Sequence, residues 1–124
     1  SYAGTWQSIE NECAKALNKT SIHAAPEVGR FDAVYSCGAL INRLVGEVVN
    51  PENPGEGIIE FWQAMAAWPE SDRKVESEKL FFRTLEKLGF GDEQRTVLRN
   101  FLDLQADEPQ TAIERVRATL KDTE

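Results

Sequence analysis

Along this chain apolar residues recur every three or four positions, the period at which side chains share one face of an α-helix. The run from Thr5 to Asn18 puts Trp6, Ile9, Cys13, Ala16 and Leu17 on one stripe, with Thr5 placed to cap its start. "NKTSIHAAPEVG" then breaks the pattern and ends in Pro26 and Gly29. A second stripe runs from Arg30 to Val45 through Phe31, Val34, Tyr35, Leu40, Ile41 and Leu44. Its other faces hold the small residues Ala33, Cys37, Gly38 and Ala39. This pattern predicts a helix packed between neighbours, with Tyr35 and Cys37 inside.

"EVVNPENPGEG", Glu47 to Gly57, has two Asn-Pro steps and two glycines, and predicts an exposed, tolerant loop. A third helix is expected over Ile58 to Ala67, carrying Ile58, Ile59, Phe61, Trp62 and Met65 and stopping before Trp68-Pro69. A fourth, Asp72 to Leu88, runs through Val75, Leu80, Phe81, Leu85 and Leu88, and Gly89 follows its end. Asp92 caps a fifth, with Val97, Leu98, Phe101, Leu102 and Leu104. Glu108-Pro109 opens a sixth, which carries Ile113, Val116, Arg117 and Leu120. Extended alternating runs and solenoid-length repeats are absent. The expectation is one all-α domain over residues 1–124, a bundle of five to six helices.

Composition narrows what such a bundle does. At 124 residues and 41% hydrophobic content the chain can bury one real core. Its net charge of −7 disfavours general nucleic-acid binding, which normally needs a basic face. Arg95 and Arg99 fall one helical turn apart, as do Arg83 and Lys87, and read as solvated helix faces. No apolar run approaches the roughly 18–20 residues that cross a bilayer, and no signal-peptide pattern opens the chain. Cys13 and Cys37 read as reduced thiols in a core, which points to a cytoplasmic protein; a Cys13–Cys37 disulfide is the lesser alternative.

The chemistry on offer is limited. His23 is the one histidine and lies in a loop, so any imidazole-based triad must use it, and no nucleophile motif accompanies it. A Cys/His zinc site needs about four ligands, and the chain has three such side chains. Magnesium-dependent helical nucleotide hydrolases use Glu-x-x-Glu pairs, but Glu10/Glu12 and Glu76/Glu78 are two apart and point to different faces. Glycine-rich phosphate loops are also missing. No cofactor, metal site or catalytic residue is expected. The adjacent Phe81 and Phe82 cannot both face the core, which hints at an interface.

One segment carries a family likeness. "GRFDAVYSCGALINRL" begins with Arg30-Phe31-Asp32 and Tyr35, then becomes a small-residue helix. It resembles the second helix of HEPN-type helical domains, and the likeness extends from about Trp6 to Leu120. The resemblance implies an up-and-down helical core. Ribonuclease members of that family carry Arg-x(4–6)-His late in the chain, across a dimer interface. Here Arg99-Asn100 matches the start of that motif, but Leu104 stands at the histidine position, with Gln105 next. Neither exchanges a proton near neutral pH.

The leading expectation is therefore a non-catalytic, acidic HEPN-like module that binds a protein partner: an antitoxin, a toxin or a second copy of itself. The resemblance also suggests a toxin–antitoxin, defence or mobile-element setting. One competing expectation is an RNA- or nucleotide-acting toxin of the same fold using Arg99 and Asn100. Another is an acidic immunity protein that masks a basic toxin surface.

Overall fold

The structure is a computed structural model that describes residues 2–122. Among the described residues six α-helices follow in order: α1 (Tyr2–Leu17), α2 (Phe31–Val49), α3 (Pro54–Ala66), α4 (Ser77–Lys87), α5 (Asp92–Phe101) and α6 (Pro109–Lys121). Short 3-10 turns at Ala25–Val28 and Asp72–Lys74 precede α2 and α4. No strand occurs among the described residues, and no described helix is long and apolar enough to cross a membrane. The all-α bundle expected from the apolar period is what the chain forms.

Helix α2 packs against α1, α3 and α6 and is the centre of the bundle. Its buried face is Ala33, Cys37, Leu40, Ile41, Leu44 and Val45. All of these but Ala33, which packs with Ala16 and Ala25 in a small separate cluster, meet Leu17 of α1, Phe61 of α3, Phe82 and Leu85 of α4, Leu98 and Phe101 of α5, and Ile113, Val116 and Leu120 of α6 in one core. Each fully buried side chain of this size removes about 1.5–3 kcal/mol of unfavourable hydration.

Tyr35 is not part of that core. It is 81% exposed and Phe31, one turn earlier, is 59% exposed. The helix carries two apolar stripes rather than one: Tyr35 precedes Leu40 by five residues, which turns it well away from the Leu40–Leu44 face. Cys37 is buried as expected.

The expected loop over Glu47 to Gly57 is mostly helix. Helix α2 continues to Val49, and α3 begins at Pro54, where the missing N–H costs nothing. Asn53 caps α3 by accepting a hydrogen bond from the Glu56 N–H at 3.2 Å. Gly46 and Gly57 do not loosen this segment. Both are buried and let the two helix backbones touch: a Cβ on Gly46 would fall on the Pro54 carbonyl oxygen and lie 2.8 Å from Ile58 Cγ1, and one on Gly57 would fall on the Gly46 carbonyl. The tolerant part shrinks to the connection at 50–53.

Other ends also shift. Helix α1 starts before Thr5, so Thr5 is not its cap. Helix α4 starts at Ser77, because the chain at Val75 is extended after the 3-10 turn. Asp92 is the first residue of α5 and Gly91 its cap, whose N–H donates to Gln94 Oε1 at 2.8 Å. Pro109 opens α6 as its position suggested.

Cys13 and Cys37 are joined by a disulfide between α1 and α2, with Cα atoms 4.8 Å apart and both residues fully buried. This replaces the two reduced thiols expected from the sequence. The inference from reduced thiols to a cytoplasmic protein loses its premise with them. Nearby, Arg117 of α6 donates to Glu10 of α1 at 2.8 Å and to Glu47 of α2 at 3.0 Å, and Arg43 donates to Glu47 at 3.3 Å. Burial works against the Arg117 charge, but the hydrogen bonds it donates to Glu10 and Glu47 outweigh it and its pKa is raised. Glu12, two residues from Glu10, faces a different groove, as its spacing required.

Candidate functional site

Helices α2 to α5 enclose an open apolar cleft of about 240 Å³. Ile41 lines it from α2, Trp62 and Met65 from α3, and Phe81 and Phe82 from α4; Leu98 of α5 and Leu102, which caps the end of that helix, complete the lining. The rings form an edge-to-face chain: Phe61 to Trp62 at 5.9 Å, Phe61 to Phe81 at 5.1 Å and Phe81 to Phe82 at 5.2 Å. Phe82 is buried and Phe81 only partly so, the division expected of adjacent aromatics on a helix. Trp62 stays 48% exposed at the rim, where a large apolar ring without cover is informative.

A second groove, between α4 and α5, adjoins the cleft and shares Phe82 and Glu78 with it. It is lined by Lys79, Arg83, Arg95 and Arg99, with Glu78 and Glu86. The fold thus turns basic residues that read as separate helix faces toward one groove. Lys87 is not among them; its ammonium lies 4.7 Å from the Trp68 ring centre. Arg95 is occupied by Asp92 and by the Phe90 carbonyl. The Arg99 guanidinium stacks on the Phe82 ring at 4.3 Å from its centre. Neither Arg83 nor Arg99 is ion-paired with a carboxylate among the described residues.

His23 stands at the junction. Its backbone N–H donates to the Leu102 carbonyl at 3.0 Å, which holds the early loop against the end of α5. The ring bridges Asp103 at Nδ1 (2.7 Å) and Glu78 at Nε2 (2.8 Å). The hydrogen bonds to Glu78 and then Asp103 raise its pKa above the ordinary 6.5. A carboxylate at each nitrogen favours the imidazolium, which donates twice and has no lone pair with which to take a proton. His23 is therefore a loop residue with a clamping role, tying the starts and ends of two helices.

The residues singled out by the family likeness do not converge. Arg30 precedes α2 and, with Asp32, lines a groove against Glu12 and Lys15 of α1 and Lys19 just beyond its end. Phe31 and Tyr35 project into solvent from the same helix. Arg99 and Asn100 are exposed at the end of α5, and Arg99 belongs to the α4–α5 groove instead. Leu104, at the position of the missing histidine, packs against the core.

The His23 bridge was invisible in the sequence because its partners lie 55 and 80 residues away. The cleft had one signal, the Phe81-Phe82 pair, whose helical geometry forces one ring outward. Comparison of the chain with protein-family models, curated proteins and solved structures finds no match.

Proposed function

We propose that this chain is a non-catalytic helical module, of the HEPN-like kind its second helix resembles, that binds a protein partner through the α2–α5 cleft. One observation carries the reading: a formed apolar cleft whose rim residue Trp62 remains 48% exposed. Such a surface matches the helix-in-groove mode, in which apolar side chains one or two turns apart enter a hydrophobic groove. The carboxylates at both His23 ring nitrogens favour its protonated form and so speak against a role as general base, which supports this reading.

A photocrosslinking residue placed at Trp62 tests this in cells that produce the protein. Polypeptide adducts should form from that position and not from Glu114, an exposed residue of α6. Equal labelling from both positions, or adducts with RNA alone, would refute the reading. The RNA-acting alternative rests on the placement of His23 beside the groove that holds Arg99. It predicts metal-independent cleavage of single-stranded RNA that Arg99→Ala abolishes, whereas the binding module leaves RNA intact.

A further inference from the structure

Resting on that reading, we propose the chemistry of the partner segment: an amphipathic stretch with apolar anchors for the cleft and carboxylates for the adjoining groove of Arg83 and Arg99. The two depressions are continuous, because Phe82 and Glu78 line both. One face of the Phe82 wall thus belongs to an apolar pocket, while Arg99 is stacked on the ring at 4.3 Å. A ligand lying across this wall meets hydrocarbon first and guanidinium next.

The charges in the groove are not balanced from within. Arg95 is closed by Asp92 and a backbone carbonyl, Lys79 is paired with Glu76, and Glu78 is answered by His23. What remains is Arg83 and Arg99 against Glu86, an excess of positive charge on a chain of net charge −7. The guanidinium fork suits carboxylate oxygens, and the stacking on Phe82 fixes the plane of Arg99 in advance. Basic or neutral amphipathic segments would leave these two cations unanswered beside the apolar cleft, so the pair discriminates among ligands as well as attracting one.

The test is selection from a displayed library of random 16-residue peptides on the wild-type protein, with counter-selection on Trp62→Glu. Enriched peptides should combine aromatic or aliphatic residues at helical spacing with Asp or Glu within about two turns. The double variant Arg83→Gln/Arg99→Gln should weaken the best of them about tenfold, and Lys121→Gln should not. Circular dichroism of each variant confirms the fold, the substituted side chains all being exposed. Enriched peptides that lack carboxylates, or that bind the arginine variant equally well, overturn this proposal and leave the cleft reading standing. If no enriched peptide depends on Trp62, both fall. Sedimentation showing a dimer that Trp62→Glu dissociates would make a second copy the occupant and overturn the acidic-segment assignment.

Discussion

Where α1, α2 and α6 meet, the polar and reactive groups close on one another: Cys13 on Cys37, Arg117 on Glu10 and Glu47, Arg43 on Glu47. Where α4 and α5 meet beside α3, Arg83 and Arg99 line a groove with Glu86 but are ion-paired with no carboxylate among the described residues, and Trp62 stands half in water. Both regions draw on the same core, so the difference is not one of packing quality. It lies in whether surface groups find their partners within the chain. The first region ties the helices together, and the second is where we propose that a partner binds.

The sharpest way to break that contrast is to open the first region. Replacing Cys13 and Cys37 together by Ala removes a cross-link spanning 24 residues. The expected loss is about 3–4 kcal/mol by loop-closure entropy, read as a lower urea midpoint. An unchanged midpoint would mean that the α1–α2 contact does not depend on the bond. Arg117→Met should cost less, about 1–3 kcal/mol, because Glu10 and Glu47, each with a side chain only 14% exposed, would be left facing one another's charge. A variant as stable as the parent would show that this network matters no more than a surface pair.

The smallest effect belongs to the second region. The raised pKa of His23 means the folded state holds its proton more tightly than the unfolded chain. Its stabilisation is complete below the unfolded value of 6.5 and is lost as pH rises through the higher folded value. With a side chain 43% exposed and solvent screening its partners, the gain should stay under about 1 kcal/mol. The melting-temperature difference between wild type and His23→Gln should shrink from pH 6 to pH 9. A difference that grows over that range has the wrong sign and would remove the clamp.

What was legible in the sequence follows from the range of the forces involved. Helices with uninterrupted periodicity and a proline or glycine at the right end, such as α6 with Pro109, could be placed within a residue or so. Glu47 to Gly57 misled because proline and glycine carry two meanings. Pro54 opens a helix rather than interrupting one, and Gly46 and Gly57 serve close backbone approach rather than a turn. Tyr35 misled because an apolar residue near the period does not reveal which of two stripes faces inward. The disulfide, the Arg117 network and the His23 bridge join residues far apart in sequence, and local patterns hold no record of them.

The contact between Gly46 and Gly57 bears on how the chain reaches this structure. The two glycines are separated by a short stretch capped by Asn53 and preset by Pro54, so closing the loop between them costs little entropy. Contacts of low sequence separation are the ones a folding chain samples first. We therefore predict that the α2–α3 hairpin belongs to the folding nucleus. A methyl group at either glycine should then slow folding more than it speeds unfolding. The small side of these residues would be a kinetic property of the chain as much as a geometric one.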